Sequence, residues 1–138
     1  MVDKRVGLTI AALAAVGLAG CVTTQGNLES SAERLERSAE SLRADARDDG
    51  SSGYYRDAQQ FAEEARDFRR TLDDRHADRN DLKDAFGDLS NRYHALRDEV
   101  ERTRDRDAEL DFKPVTEAYL DVEREMRRSG DRDRYARD

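Results

Sequence analysis

The chain holds one cysteine, Cys21, and two histidines, His76 and His94, so the side chains that most often carry covalent, acid–base or metal chemistry are few. A thiolate is the strongest nucleophile among common side chains and can take a lipid as a thioether. Cys21 closes the stretch Leu18-Ala19-Gly20-Cys21, at the end of an apolar N-terminal run. With no second cysteine the chain cannot close an internal disulfide, and its stability must come from packing. The histidines make no metal motif. A di-metal bundle site pairs Glu-x-x-His on two helices with Glu on the other two. His76 follows Asp73 by three in a charge-rich stretch, and His94 follows Asn91. Both read as solvated surface residues. No Cys-x-x-Cys-His is present for haem attachment, and Met126, helically spaced among apolar residues, reads as core. Serines cluster at Ser30, Ser31, Ser38 and Ser41, and again at Ser51 and Ser52. None has a predictable histidine partner to act as its base. No glycine-rich loop follows a strand, which excludes phosphate-cradling loops. Carboxylates beside arginines recur throughout, as on any solvated helix face. Tyr54-Tyr55, directly after a flexible stretch, reads as one ring stapling a helix to the core and one lying on the surface; the rival reading is an exposed binding contact.

Cys21 is presented by what reads as a secretory signal. Lys4 and Arg5 form a basic start, Val6 to Gly20 is uncharged and rich in Ala, Leu, Val and Gly, and small residues occupy 19 and 20. The run falls short of the roughly 20 apolar residues of a spanning helix, and polar Thr23, Thr24 and Gln25 follow it. Leu18, Ala19, Gly20 and Cys21 together resemble the lipobox of bacterial lipoproteins. The resemblance implies that a signal peptidase recognises Leu18, Ala19 and Gly20 and cuts before Cys21. It implies further that the Cys21 sulfur carries diacylglyceryl and that the freed amine is acylated as well, with palmitate as the usual chain. A plain signal peptide with a chance cysteine is the rival. Two or three acyl chains hold a protein stably where one is marginal. In Gram-negative lipoproteins Asp after the cysteine commonly marks inner-membrane retention; Val22 stands there, which by resemblance favours the outer membrane, facing the periplasm. The small wall-tying lipoproteins of that membrane end in a lysine. This chain ends Tyr135-Ala136-Arg137-Asp138, so covalent wall attachment is not implied.

Cleavage before Cys21 leaves 118 of the 138 residues, carrying 23 basic and 31 acidic side chains. That is the size of one domain. A net acidic domain does not make the phosphate contacts that supply nucleic-acid affinity, so no nucleic-acid partner is expected. Anionic headgroups repel it mildly, so lipid rather than a basic patch must hold it at a membrane.

The spacing of apolar residues is helical wherever it is regular. Leu28, Leu35 and Leu42 recur every seven residues, with Ala32, Ala39 and Ala46 four after each, a coiled-coil-like a/d pattern. Asn27 or Ser30 offers an N-cap, and Ser30-x-x-Glu33 fits a capping box. The first helix is placed at about 28–48, after a polar tether. Asp48 to Gly53 reads as a loop. Ala58, Phe61, Ala62, Ala65, Phe68 and Leu72 make the second stripe. The apolar pattern lapses over 73–81, where a turn near 78–81 is preferred over one continuous long helix, with Asn80 and Asp81 as caps. Leu82, Phe86, Leu89, Tyr93, Leu96 and Val100 form the third and strongest stripe. The stretch 102–109 is nearly all charge and reads as a fraying end. Lys113-Pro114 reads as the start of a fourth helix, with Pro at its first position and Glu117 in the first turn. Its stripe is Val115, Ala118, Tyr119, Val122 and Met126.

These patterns predict an all-α fold, an antiparallel up-down helical bundle of about four helices after a cleaved signal peptide. The expected divisions are 1–20 signal peptide, 21–27 lipidated cysteine and tether, 28–128 bundle and 129–138 mobile polar tail. The narrow stripe of helix one allows two outcomes, packing inside its own bundle or pairing with a second chain. The function expected is non-catalytic contact by a lipid-anchored envelope protein, structural or adaptor, without enzymatic activity, metal or cofactor. Its partners would be the membrane, through Cys21, and an envelope protein or a second copy. The alternative is a ligand- or metal-binding bundle or an envelope enzyme.

Overall fold

The computed structural model describes residues 23–48 and 52–135, with side chains described over 26–48 and 52–130. Four helices follow in order: α1 (Thr23–Asp48), α2 (Ser52–Asp73), α3 (Arg79–Thr103) and α4 (Arg106–Tyr135). There is no strand among the described residues. α1 packs on α2 and on α4, and α2 packs on α3, while the α3 and α4 backbones stand further apart than the other neighbouring pairs. Side-chain pairs fix the directions. Phe61 meets Tyr93 and Phe68 meets Phe86, so α2 and α3 run antiparallel. Tyr93 meets Phe112 while Phe86 meets Tyr119, which makes α3 and α4 antiparallel as well. The bundle is up-down throughout, as the short connections require.

The α1 stripe is wholly internal. Leu28, Ala32, Leu35, Ala39, Leu42 and Ala46 are all at most 3% exposed. The alanines let neighbouring helices approach closely, and the seam considered for pairing with a second chain is filled within the monomer. The core continues through Phe61, Phe68, Leu89, Leu96, Val115 and Val122, all buried. Leu72, Leu82, Phe86 and Met126, expected in the core, lie half-buried against it. Tyr54 is buried and Tyr55 is half-buried, so the pair staples α2 to the core.

Five boundaries differ from the sequence expectations. α2, expected after a loop reaching Gly53, is helical from Ser52. α1 is already helical at Thr23, so most of the expected tether is helix and Ser30 lies inside it rather than capping it. The break between α2 and α3 falls at 74–78. Its cap is Asp78, whose carboxylate accepts from the Asn80 and Asp81 backbone N–H groups at 2.6 and 3.0 Å. Asp81 completes the capping box by accepting from the Asp78 N–H at 2.8 Å. The short Asp carboxylate reaches these donors, which is why an Asp-rich run stops one helix and starts the next. α4 begins at Arg106, eight residues before Pro114, which therefore sits inside the helix. Pro removes one backbone bond there. Burial of Ala108 and Phe112 and the Asp105 side chain, which accepts from the Asp107 N–H at 2.9 Å, hold the turns before it. Finally, the helix runs on through most of the stretch expected as a polar tail, to Tyr135.

Where the α3 seam widens, aromatic rings fill it. Tyr93 and Tyr119 stack with centroids 3.9 Å apart and planes 6° from parallel. Phe112 and Phe86 extend the stack at either end. The two phenols are satisfied at its edge. Tyr119 donates to Ser90 Oγ at 2.9 Å, and Tyr93 donates to Thr116 Oγ1 at 3.4 Å. Burial pushes the Tyr119 pKa up, partly offset by the Ser90 hydrogen bond. A phenol harder to ionise when folded stabilises the bundle below its ordinary pKa of 10.0, and that contribution is lost as pH rises past it. Tyr119→Phe is therefore expected to reduce the fall in melting temperature above about pH 10, read from paired melts at neutral and alkaline pH.

The far end of the bundle carries one tight contact. Glu99 is 7% exposed and pairs with Arg102. A Cβ on Gly53, in the first turn of α2, would lie 2.7 Å from Glu99 Oε1. The glycine lets a carboxylate approach the positive end of α2, where a negative charge is favourable. Gly→Ala inside a helix normally gains up to about 1 kcal/mol. Only the far end of the Glu99 side chain meets that Cβ, so Gly53→Ala is expected to gain less than this, and to gain more in a Glu99→Ala background. A double-mutant cycle by urea denaturation measures this; additive effects would reject the contact.

Candidate functional site

The one site with assignable chemistry in the sequence, Cys21 with Leu18, Ala19 and Gly20 before it, lies outside the described residues. What the structure defines is the end of the bundle that would carry it. α1 starts at Thr23. Two chain steps span at most about 7 Å, so Cys21 lies within that distance of Thr23. The opposite end of α1 is about 38 Å away at 1.5 Å per residue.

The register of α4 against α1 is set by an ion pair between Arg34 and Asp121. The α1–α2 seam is crossed by Arg66, paired with Glu40, and by Arg69, 3.8 Å from Glu36. Arg92 of α3 donates to Gln60 at 2.9 Å across the α2–α3 seam. Exposed pairs such as these add little stability, but they fix which residues face each other along antiparallel helices.

Two shallow grooves run along the α1–α4 seam. One, about 440 Å³, is lined by Asn27, Ser30, Ser31, Arg34, Arg37, Asp121, Arg124 and Glu125. The next, about 460 Å³, shares Arg34 and Arg37 and adds Ser38, Ser41, Asp45, Leu110, Asp111 and Pro114. Two of the basic side chains are engaged: Arg34 pairs with Asp121, and Arg124 donates to the same carboxylate at 2.8 Å. Buried Glu125 is paired with Arg128 at 2.7 Å. Ser30, Ser31, Ser38 and Ser41 thus come together along this seam, but no histidine lines either groove. The serine hydroxyls have no imidazole base there.

The histidines sit elsewhere and apart. His76 is exposed in the α2–α3 turn, its backbone N–H donating to Asp74 at 2.9 Å. His94 is exposed on α3, edge-on to Tyr93 at 5.4 Å between centroids. Among the described residues no group of three or more His, Cys, Asp and Glu is placed to hold a metal ion. None of the described helices is long and apolar enough to cross a membrane. Met126 lies half-buried against the core.

The described residues form a four-helix, up-down, all-α bundle whose first helix is described from Thr23. Compared with known protein families, curated proteins and solved structures, the chain matches none of them.

Proposed function

We propose that the protein is a lipid-anchored helical element of the cell envelope that acts by non-catalytic contact, in a structural or adaptor role. The observation that carries this reading is Leu18-Ala19-Gly20-Cys21 behind a basic start and an uncharged run. Signal peptidase removes residues 1–20, and lipid on Cys21 holds the bundle at the membrane. Val22, in place of Asp, favours the outer membrane, with the bundle facing the periplasm.

The test of the contact role is cross-linking in native membranes, comparing the wild type with Cys21→Ser. The expected result is a discrete cross-linked envelope protein, or a dimer of this chain, that depends on Cys21. A chelator-sensitive activity or a bound cofactor in the purified protein would replace this reading with the ligand-binding or enzymatic one.

A further inference from the structure

We propose that α4 exchanges between two copies of this chain. The turn at Arg104 and Asp105 opens, α3 and α4 join into one continuous helix, and each bundle takes its fourth helix from the other copy. Such an exchange needs only the fold and is independent of the lipid-anchor reading.

The turn carries it. Only Arg104 and Asp105 separate Thr103, the last residue of α3, from Arg106, the first of α4. Arg104 makes the reversal from the left-handed region, at φ 51° and ψ 29°. Among the described residues it is the only non-glycine at positive φ. Helix ends commonly place glycine in that conformation, because a Cβ there crowds the following carbonyl. The turn between α2 and α3, at 74–78, is longer and closes with the Asp78–Asp81 capping box, without such a residue. Short hinge turns under strain favour exchange of an element between copies.

The sequence on both sides lets a helix run through. From Asp88 to Lys113 there is no glycine or proline, and Glu101, Arg102, Arg104, Arg106, Ala108 and Glu109 are good helix formers. The bonds that hold the turn are local. Thr103 Oγ1 donates to the Val100 carbonyl at 2.8 Å, and the Asp105 carboxylate accepts from the Asp107 N–H at 2.9 Å. A straight helix replaces them with backbone bonds from each N–H to the carbonyl four residues back, and it releases Arg104 from the left-handed region.

The other contacts of α4 are kept, because the second copy supplies them. Arg34 with Asp121, and Tyr93 with Phe112 and Tyr119, re-form between chains. α1 lies antiparallel to α4: Asn27 and Glu125 line one groove of their seam, Asp45 and Leu110 the next. The α3–α4 turn is therefore at the end of the bundle away from Thr23. In the exchanged dimer the two bundles meet end to end at these turns, with their α1 starts pointing apart, which is the shape of a two-ended connector.

The test refolds the full chain from urea in detergent at a series of protein concentrations and measures its mass by light scattering during size-exclusion chromatography. A dimer is expected at high concentration. Arg104→Gly removes the left-handed penalty and weakens the through-running helix. It is expected to raise the dimer's dissociation constant roughly 25-fold or more, since the penalty is worth at least about fivefold per chain and the dimer opens both turns. Arg104→Ala removes the charge but keeps the Cβ, and is expected to keep the dimer. Exchange itself is read from Arg34→Cys with Asp121→Cys, combined with Cys21→Ser so that only the introduced thiols react, and linked by a short bismaleimide. The isolated dimer is expected to run as a covalent dimer on a denaturing gel, and the isolated monomer to carry its link within one chain. No dimer at any concentration, an Arg104→Gly dimer as tight as the wild type, loss of the dimer in Arg104→Ala, or a native dimer whose links all lie within one chain would each overturn the proposal.

Discussion

Phe61→Ala is expected to cost about 3–5 kcal/mol, the upper range for a buried aromatic cut back to a methyl. Phe61 is 0% exposed, at the middle of α2, and its ring lies 6.2 Å from that of Tyr93. Removing it empties the space between α2 and the aromatic stack that separates α3 from α4, and close-packed helices relax only partly into such a gap. Domains of this size are stable by about 5–15 kcal/mol in total, so a large share of the stability goes. The melting temperature should fall by roughly 10–30 °C. Phe86→Ala, at a half-buried ring, is expected to cost about half as much, because part of its surface already faces water. Thermal and urea melts followed by circular dichroism compare the two. A Phe61→Ala melt within a few degrees of wild type, or a larger loss for Phe86→Ala, would contradict the core described above.

The helices were legible in the sequence because their apolar residues repeat at three and four, and the structure buries those stripes. The boundaries were less so, for reasons that differ by place. The α2–α3 turn could be read as a lapse in the stripe, but its cap could not: Asp78, Asn80 and Asp81 are all good N-caps, and only backbone geometry selects Asp78. The start of α4 is hard to read because Pro114 suits the first position of a helix and 102–109 is nearly all charge. The signal was present in Ala108 and Phe112, which extend the stripe of Val115, Tyr119 and Val122 at spacings of four and three. The early start of α1 leaves no such trace, since Thr23 to Gly26 has no stripe and only Gln25 is a good helix former. The Gly53–Glu99 approach and the Arg34–Asp121 register join residues far apart in sequence, and local pattern holds no information on them. The lipobox resemblance of Leu18-Ala19-Gly20-Cys21 rests on sequence alone and lies outside the described residues.

Cys21→Ser is expected to abolish stable membrane association. Each buried methylene of an acyl chain contributes about 0.8 kcal/mol, so two or three chains hold the protein firmly and none leaves it to its surface charge. That charge is net negative, and anionic headgroups repel it overall. No described helix can span a bilayer in place of the lipid. A serine hydroxyl lacks the thiolate nucleophilicity that lipid transfer needs. On fractionation the wild type should pellet with membranes and resist high salt. The variant should be released, or stall with residues 1–20 still attached. A variant that stays membrane-bound after cleavage would mean that something other than lipid holds it.

The most direct test of this account is the mass of the N-terminal peptide of the protein taken from native membranes. The expected peptide begins at Cys21 and is heavier than its sequence by a diacylglyceryl group, with or without an added acyl chain on the amine. A peptide beginning at another residue, with an unmodified Cys21 thiol, would contradict it.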